Sequence, residues 1–459
     1  MSENKRKIHL NVFVRIAGHH AGGWKHPDAE PERDLDIEKY IELAQLAERG
    51  LIDSLFTADN YSGTGRRLEP FTLLSALAAV TTHIGLIGTV STTYNDPFHV
   101  ARKLASLDYL SNGRAGWNIV TGHSPEDGNN ITRWGGYPEP SKRYEIGDEF
   151  VEVTKQLWDS WDEDDVSSSG ERSLQVNHTN VHEIDFKGNY FNVKGPLNIP
   201  RPPQGYPVLV QAGSSENGKE LAAKHAEVIF TAQQTLGAAQ EFYTDVKSRL
   251  KKYGRSPDQL LIMPGLGSIV GETEAEAKDL EDDLFSLLNL ESSLKQASRF
   301  FSVDLSEYAL DDRVPLDKVK PEDGSKNGGI TSRREVVLDA VRRDNLTIRQ
   351  FLNRSAGGHG HVTYRGSYMQ VADFIETWLR ERGADGFNLL PQVVPHSLDT
   401  FINKVIPELQ NRGIFRTAYE GTTLRENLGL TRPLNKNREI WTARHQAQAA
   451  KDIAFEPAQ

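Results

Sequence analysis

Apolar stretches alternate with amphipathic ones along most of the chain, in the rhythm of repeated strand–helix units. Ile8 to Val14 reads as a first strand, and Ile37, Tyr40, Ile41 and Ala44 follow at helical spacing. Ser54 to Ala58 is a short second strand, Phe71 to Thr82 a helix, and Ile84 to Val90 a third strand. Pro97 to Leu110 is a helix and Ala115 to Val120 a fourth strand. After Arg143-Tyr144 a helix carries Ile146, Phe150, Val153 and Leu157 on one face. Pro207 to Ala212, Glu227 to Phe230, Leu260 to Val270 and Gly386 to Leu390 supply four more strands, and Ser215 to His225 a further helix. Eight such units favour an α/β fold closed into a TIM (β/α)8 barrel with insertions over an open sheet.

Two stretches break the rhythm. Residues 160–203 begin acidic, turn Ser- and Gly-rich, and end hairpin-like around Gly188-Asn189. Residues 290–368 interrupt the last barrel units and carry Gly357-Gly358-His359-Gly360-His361 near their end. Insertions of that size at a barrel face are often lids or binding loops. The expected organisation is one barrel domain over 1–435, with these two insertions, and a polar tail over 436–459 that wraps the surface or a neighbour.

Composition narrows the class. Hydrophobic residues make up 37% of the 459 and charged residues 25%, which supports a large core and excludes global disorder. A net charge of −11 removes any general reason to bind nucleic acid or anionic membranes. There are no cysteines, so disulfides, thiolate metal sites and a cysteine nucleophile are excluded. The polar start, with no apolar signal core, and the lack of any stretch of transmembrane length lead to a cytoplasmic address by default.

In a barrel of this kind the chemistry sits where strands run into the loops that follow them. The unusual residues fall there: His19-His20, Asp59-Asn60, Ser91-Thr92-Thr93-Tyr94, Thr121-Gly122-His123 and Gly213-Ser214-Ser215. Five polar clusters at one end imply a ligand-holding mouth. Gln211 to Gly218 is the phosphate signal, because Gly213 allows a tight turn before hydroxyls and free amides at a helix start. Ser215 as a simple helix cap explains the same residues. No Walker A ending and no Gly-x-Gly-x-x-Gly after a strand is present. No metal site is expected: His19 and His20 are adjacent and would diverge on a strand, and His359 and His361 have no acidic partner at metal spacing. Taken locally, Asp59 is as readily a turn residue as a ligand contact, and Trp117-Asn118 reads as core.

Collinear motifs carry a resemblance over about residues 7–430. They include Gly18-His19-His20, Trp24-Lys25-His26-Pro27, Ser91-Thr92-Thr93-Tyr94 with Pro97, Gly113 to Asn118, Arg143-Tyr144-Glu145, Gly195-Pro196-Leu197, Gln211 to Gly218, Ala384 to Phe387 and Leu424 to Gly429. The chain resembles the bacterial-luciferase-like flavin-dependent monooxygenases, in the branch of nitrilotriacetate, EDTA and dibenzothiophene-sulfone monooxygenases.

The resemblance implies a TIM barrel binding FMN as FMNH2, supplied by a separate NAD(P)H:flavin reductase, and using O2 to oxidise a small organic substrate. Oxidation at carbon next to nitrogen or sulfur, with cleavage of that bond, is the expected reaction. Carried over by position, Asp59 and Thr89 resemble isoalloxazine-side contacts, and Tyr144 with Ser214 and Ser215 the phosphate end. His20 and His123 are expected to shape the reaction zone. A homo-oligomer is implied as well. Two positions depart from the pattern: Pro140 stands where many relatives have histidine, and Gly122 where a hydroxyl is common. A deazaflavin-dependent oxidoreductase on a related barrel, or a flavin-binding protein without turnover, are the alternatives.

Overall fold

Eight parallel strands close into a ring: β1 His9–Phe13, β2 Ser54–Thr57, β3 Gly85–Ser91, β4 Ala115–Val120, β5 Val208–Gln211, β6 Val228–Thr231, β7 Leu261–Gly271 and β8 Gly386–Leu389. Neighbours in sequence are neighbours in space. The ring closes where β8 pairs with β1, Asn388 opposite Asn11, and with β7, Asn388 opposite Gly265. The computed structural model describes residues 6–63, 65–122, 125–130, 137–162, 180–319, 331–358 and 360–437, with side chains from 337 onward in the penultimate stretch. The barrel expected from the eight units is the one observed. Most of these strands are buried on both faces, which is why they read as near-continuous apolar runs.

The helices that follow the first six strands are α1 Ile37–Arg49, α2 Pro70–Ala78, α3 Pro97–Leu110, α4 Pro140–Trp158, α5 Glu216–His225 and α6 Leu236–Arg249. Two bounds differ from the periodicity reading. The helix read over Phe71–Thr82 stops at Ala78, where the Thr81 hydroxyl turns back to donate to Leu77 O at 2.7 Å. The helix read as following Arg143-Tyr144 begins earlier, at Pro140, because proline lacks the N–H that the first helical position leaves unpaired anyway.

One apolar core lies between barrel and helices, and a second fills the barrel with Phe56, Ile87, Val208, Val210, Val228 and Met263. The insertion after β7 has a core of its own. Helices α7 Glu274–Ser286, α8 Leu290–Phe301, α9 Thr331–Asp344 and α10 Ile348–Gly358 bury Phe301, Leu305, Leu338, Val341 and Phe351 together. The insertion ends in a strand, Val362–Ser367, that extends the upper half of β7 in parallel. In the first insertion, 163–179 lie outside the described residues, and Phe186–Lys187 pairs with Asn192–Val193 as the expected hairpin.

The chain leading into the tail lies against the barrel domain: Asn435 Nδ2 donates to Asp159 O and Trp161 O at 3.2 and 3.0 Å, and Arg201 reaches Pro433 O at 2.9 Å. The first tail residue, Lys436, donates its N–H to Asp159 Oδ2 at 3.1 Å. Residues 438–459 lie outside the described residues. Among the described residues no helix is long and apolar enough to cross a membrane.

The end of the barrel where the strands begin is stitched by buried ion pairs. Asp53, just before β2, pairs with Arg416, and Glu227, just before β6, with Arg425. Arg425 belongs to 424–429, whose Leu424 and Leu428 join the barrel-filling core from below. A Cβ at Gly85 would run into Leu424, so that plug fits only a bare backbone.

Candidate active site

At the opposite end, β5 turns into α5 through Gly213-Ser214-Ser215. A side chain at Gly213 would meet the Gln211 amide and oblige it to move. Ser215 caps α5, its hydroxyl accepting from the Gly218 N–H at 3.2 Å, as the capping reading foresaw. The cap does not exhaust the site. Ser214 and Ser215 are both exposed, and the Tyr144 hydroxyl stands 3.1 Å from Ser215 Oγ. Three hydroxyls therefore gather at the open, electropositive start of a ten-residue helix, an arrangement that suits an anion. Tyr144 is brought there by α4, and Pro140 one turn before it is the helix start.

The floor of the mouth is aromatic. Phe13, Phe56 and Phe230 meet in a triangle, with ring centroids 5.1, 6.2 and 5.5 Å apart. His361 stacks on Phe230 at 4.7 Å and His19 tilts on Phe13 at the same distance. His361 Nδ1 lies 3.2 Å from Thr231 O, and His19 Nε2 2.9 Å from Phe13 O. These rings seal the barrel interior from water below the mouth.

Thr89 lies inside the barrel, buried, donating to Thr57 O at 2.7 Å and accepting from Asn118 Nδ2 at 2.9 Å. Asp59 follows β2 and is half-buried; desolvation raises its carboxyl to about 6 against the Asn60 N–H and the charge of Arg67. His20 is buried, and its Nδ1 accepts the Gly22 N–H at 3.1 Å. A neutral His20 thus keeps its proton on Nε2. Its neighbourhood includes the end of the second insertion: a Cβ built on Gly357 of α10 would lie 3.5 Å from His20 Cδ2. His123 and His359 lie outside the described residues. Of the residues named from sequence, Tyr144 and Ser215 are brought into hydrogen-bonding distance. Asp59, Thr89 and His20 stand at or below the same rim, on different strand exits.

Several residues escaped the sequence reading. Asn118, taken there as core, holds Thr89 through its amide while its Oδ1 has no hydrogen-bond partner among the described residues. The Tyr94 hydroxyl and Gln392 Oε1 are buried in the same condition. Gln392 spends its amide protons on Gly357 O and Leu390 O, at 3.0 and 2.7 Å. Buried acceptors left open are costly unless a ligand uses them. Arg143, quoted only as part of a motif, is buried over the Tyr137 ring at 4.3 Å and donates to Thr121 O and Gly122 O, holding the exit of β4. Gly122 has φ +81, and a Cβ there would press on the Tyr94 ring at 3.2 Å, which gives its lack of a hydroxyl a backbone reason. The signal for Asn118 was polarity inside an apolar strand.

Open acceptors over a sealed aromatic floor, with an anion-suited helix start to one side, fit a planar polar ring carrying a phosphate. Comparison with known proteins agrees. The model of the luciferase-like monooxygenases matches residues 12–385. Nitrilotriacetate monooxygenase component A of Aminobacter aminovorans is 46% identical, covering 95% of this chain and 99% of that protein. N-acetyl-S-(2-succino)cysteine monooxygenase of Bacillus subtilis is 44% identical, with the same coverage. Among solved structures, EDTA monooxygenase from Chelativorans sp. superposes with a TM-score of 0.79 at 31% identity, covering 93% of this chain and 99% of that one. The chain belongs to the luciferase-like monooxygenase family and is an enzyme of the flavin-dependent monooxygenase class.

Proposed function

We propose that this chain is the oxygenating component of a two-component system: it takes up FMNH2 made by a separate NAD(P)H:flavin reductase and oxidises a small substrate at carbon next to nitrogen or sulfur. The observation that carries the reading is the pairing of the Tyr144–Ser215 hydroxyls at the open start of α5 with unsatisfied acceptors above the phenylalanine floor. One phosphate-like anchor and no dinucleotide fingerprint favour FMN over FAD. The relatives named above include one called a component A, which supports a partner reductase.

When bound, the reduced flavin supplies the electrons that activate dioxygen, and the protein's task is to hold, orient and keep water out. Ser214, Ser215 and Tyr144 would hold the phosphate. Asp59 would hold the ring, with Thr89 fixed by Thr57 and Asn118 beneath it. The phenylalanine floor excludes water. His20, whose Nδ1 accepts from the Gly22 N–H, and His123, three residues after β4 in the sequence, would shape the reaction zone. The test is titration with reduced flavins, followed by turnover with NADH, a generic flavin reductase and a panel of amines and thioethers read by mass spectrometry. FMNH2 should bind clearly more tightly than FADH2; equal affinity, or no oxygenated product from the whole panel, counts against the assignment.

A further inference from the structure

The hydroxyls at the start of α5 come from two helices. Tyr144 belongs to α4, while Ser215 caps α5 and Ser214 precedes it. The 3.1 Å between the Tyr144 hydroxyl and Ser215 Oγ therefore depends on how α4 and α5 stand to one another. Among the described residues these helices share side-chain hydrogen bonds and ion pairs at one other place. There Asp148, one turn along α4 from Tyr144, meets Lys224 and His225 in the last turn of α5.

His225 is the centre of that contact. Its side chain is buried and held from both sides. Asp148 Oδ1 lies 2.6 Å from Nε2, and Lys155 Nζ, two turns further along α4, lies 3.0 Å from Nδ1. An ammonium group can only donate, so Nδ1 accepts and the neutral ring carries its proton on Nε2, where it donates to Asp148. Burial and the charge of Lys155 push the imidazole down to about 4, so the ring stays neutral at neutral pH. It thus ties two levels of α4 to the end of α5 in one orientation. Lys224 adds bonds to Asp148 at 2.7 and 2.8 Å, but both side chains are partly exposed, and such a pair contributes little by itself. None of these groups reaches the mouth: His225 lies ten residues down α5 from Ser215, about 15 Å along the helix.

We propose that Asp148, His225 and Lys155 are positioning residues of the flavin site: they set the spacing of α4 and α5, and through it whether Tyr144 and Ser215 can close on one phosphate. The inference rests on the reading of Tyr144, Ser214 and Ser215 as the phosphate end. Hydrogen bonds weaken steeply with misalignment, so a small slip of one helix against the other costs phosphate contacts. Asp59 and Thr89, assigned to the ring side, stand on β2 and β3 and do not depend on α5. The signature of the cross-link is therefore a preference for phosphorylated flavin, separate from binding of the ring.

The test is anaerobic titration of the full chain with FMNH2 and with reduced riboflavin, which has the same ring and no phosphate. The parent should favour FMNH2. Asp148→Ala, at a partly exposed position, should cut that preference by about fivefold or more, with reduced riboflavin held within about twofold of the parent. His225→Leu should do the same, and His225→Gln, which can still donate to Asp148, should keep more of the preference. In the Asp148→Ala background, Tyr144→Phe should cost less FMNH2 affinity than it does in the parent, because the hydroxyl is already out of place. An unchanged preference in Asp148→Ala overturns the proposal. Equal weakening of both flavins overturns it too, since that marks general damage to the fold. If the parent itself binds the two flavins equally, the phosphate reading has failed and the proposal falls with it.

Discussion

Replacing Arg425 by methionine removes a charge from a partner, Glu227, that is largely withdrawn from solvent. Arg425 is 1% exposed and grips Glu227 with both terminal nitrogens, while donating to Thr431 O at 3.1 Å and Tyr206 O at 3.0 Å. Burial pushes the Glu227 carboxyl up, and Arg425 more than offsets that, so it lies below the usual glutamate range. Without the arginine, the carboxylate keeps the Leu209 N–H at 3.1 Å and the more distant charge of Arg255. Breaking a buried pair on one side costs about 3–5 kcal/mol, a large share of a fold's net stability. The arginine's two carbonyl partners are orphaned as well, which places Arg425→Met towards the upper end. Reversible urea unfolding at pH 7.5 is the assay. In the parent, depressed Glu227 contributes stability above its ordinary pKa, lost as pH falls through the lower folded value. In the variant the folded pKa lies above the ordinary one, so the sign reverses and the deficit narrows as pH falls from 7.5 to 5. Adding Glu227→Gln should recover at least half of the loss, since the neutral amide can still accept from Leu209. A deficit under about 1 kcal/mol, no narrowing at pH 5, or no recovery in the double variant refutes the reasoning.

Ser214→Ala with Ser215→Ala should raise the Kd for FMNH2 by about tenfold or more while product formed per NADH stays near normal at saturating flavin; the lost cap should cost about 1 kcal/mol of stability. Asp59 sits at about 6 where an unfolded aspartate sits near 3.8, so its ionisation destabilises the fold above pH 6 and the penalty fades as pH falls through that value. Asp59→Asn should therefore raise the urea midpoint at pH 8 and leave it nearly unchanged at pH 4; an equal gain at both would show that the carboxyl is not perturbed in this way. The purified chain with FMN and no reductase should leave NADH unconsumed, as followed at its near-ultraviolet absorbance, and rapid consumption would contradict the two-component assignment. Light scattering at micromolar concentration should report a homo-oligomer, and a monomer would count against the reading from resemblance.

The barrel was legible because its strands are covered on both faces, so each left an unbroken apolar run between turn residues. Bounds shifted by four or five residues at the ends of two helices, near Thr81 and Pro140, since periodicity registers neither a side chain that turns back to bond a carbonyl nor a proline start. The polar clusters were legible for a related reason: strands that run in one direction all deliver their loops to one end. The phenylalanine floor was not, because Phe13, Phe56 and Phe230 belong to three strands and read locally as ordinary core. Gln392 escaped notice because its role depends on Gly357, 35 residues earlier, across the insertion.

The two ends of the barrel treat polar groups in opposite ways, and that contrast sorts the motifs of the resemblance by place in the fold. Where the strands begin, the buried groups are charged and paired: Asp53 with Arg416, Glu227 with Arg425, Asp385 with Arg6 and Lys247. Such groups are spent on one another and offer nothing to a ligand. Where the strands end, Arg143 is spent on the Thr121 and Gly122 carbonyls, while the neutral groups of Tyr94, Asn118 and Gln392 each keep an atom unsatisfied. Neutral open groups can receive a polar ring without first giving up an ionic partner, so binding does not dismantle the scaffold. Motifs that fall at the first end, 384–387 and 424–429, are therefore read as framework even though they contributed to the resemblance. Those at the second, 211–218 and 143–145, lie at the end where a TIM barrel builds its site, and substitutions there are the ones expected to change ligand binding.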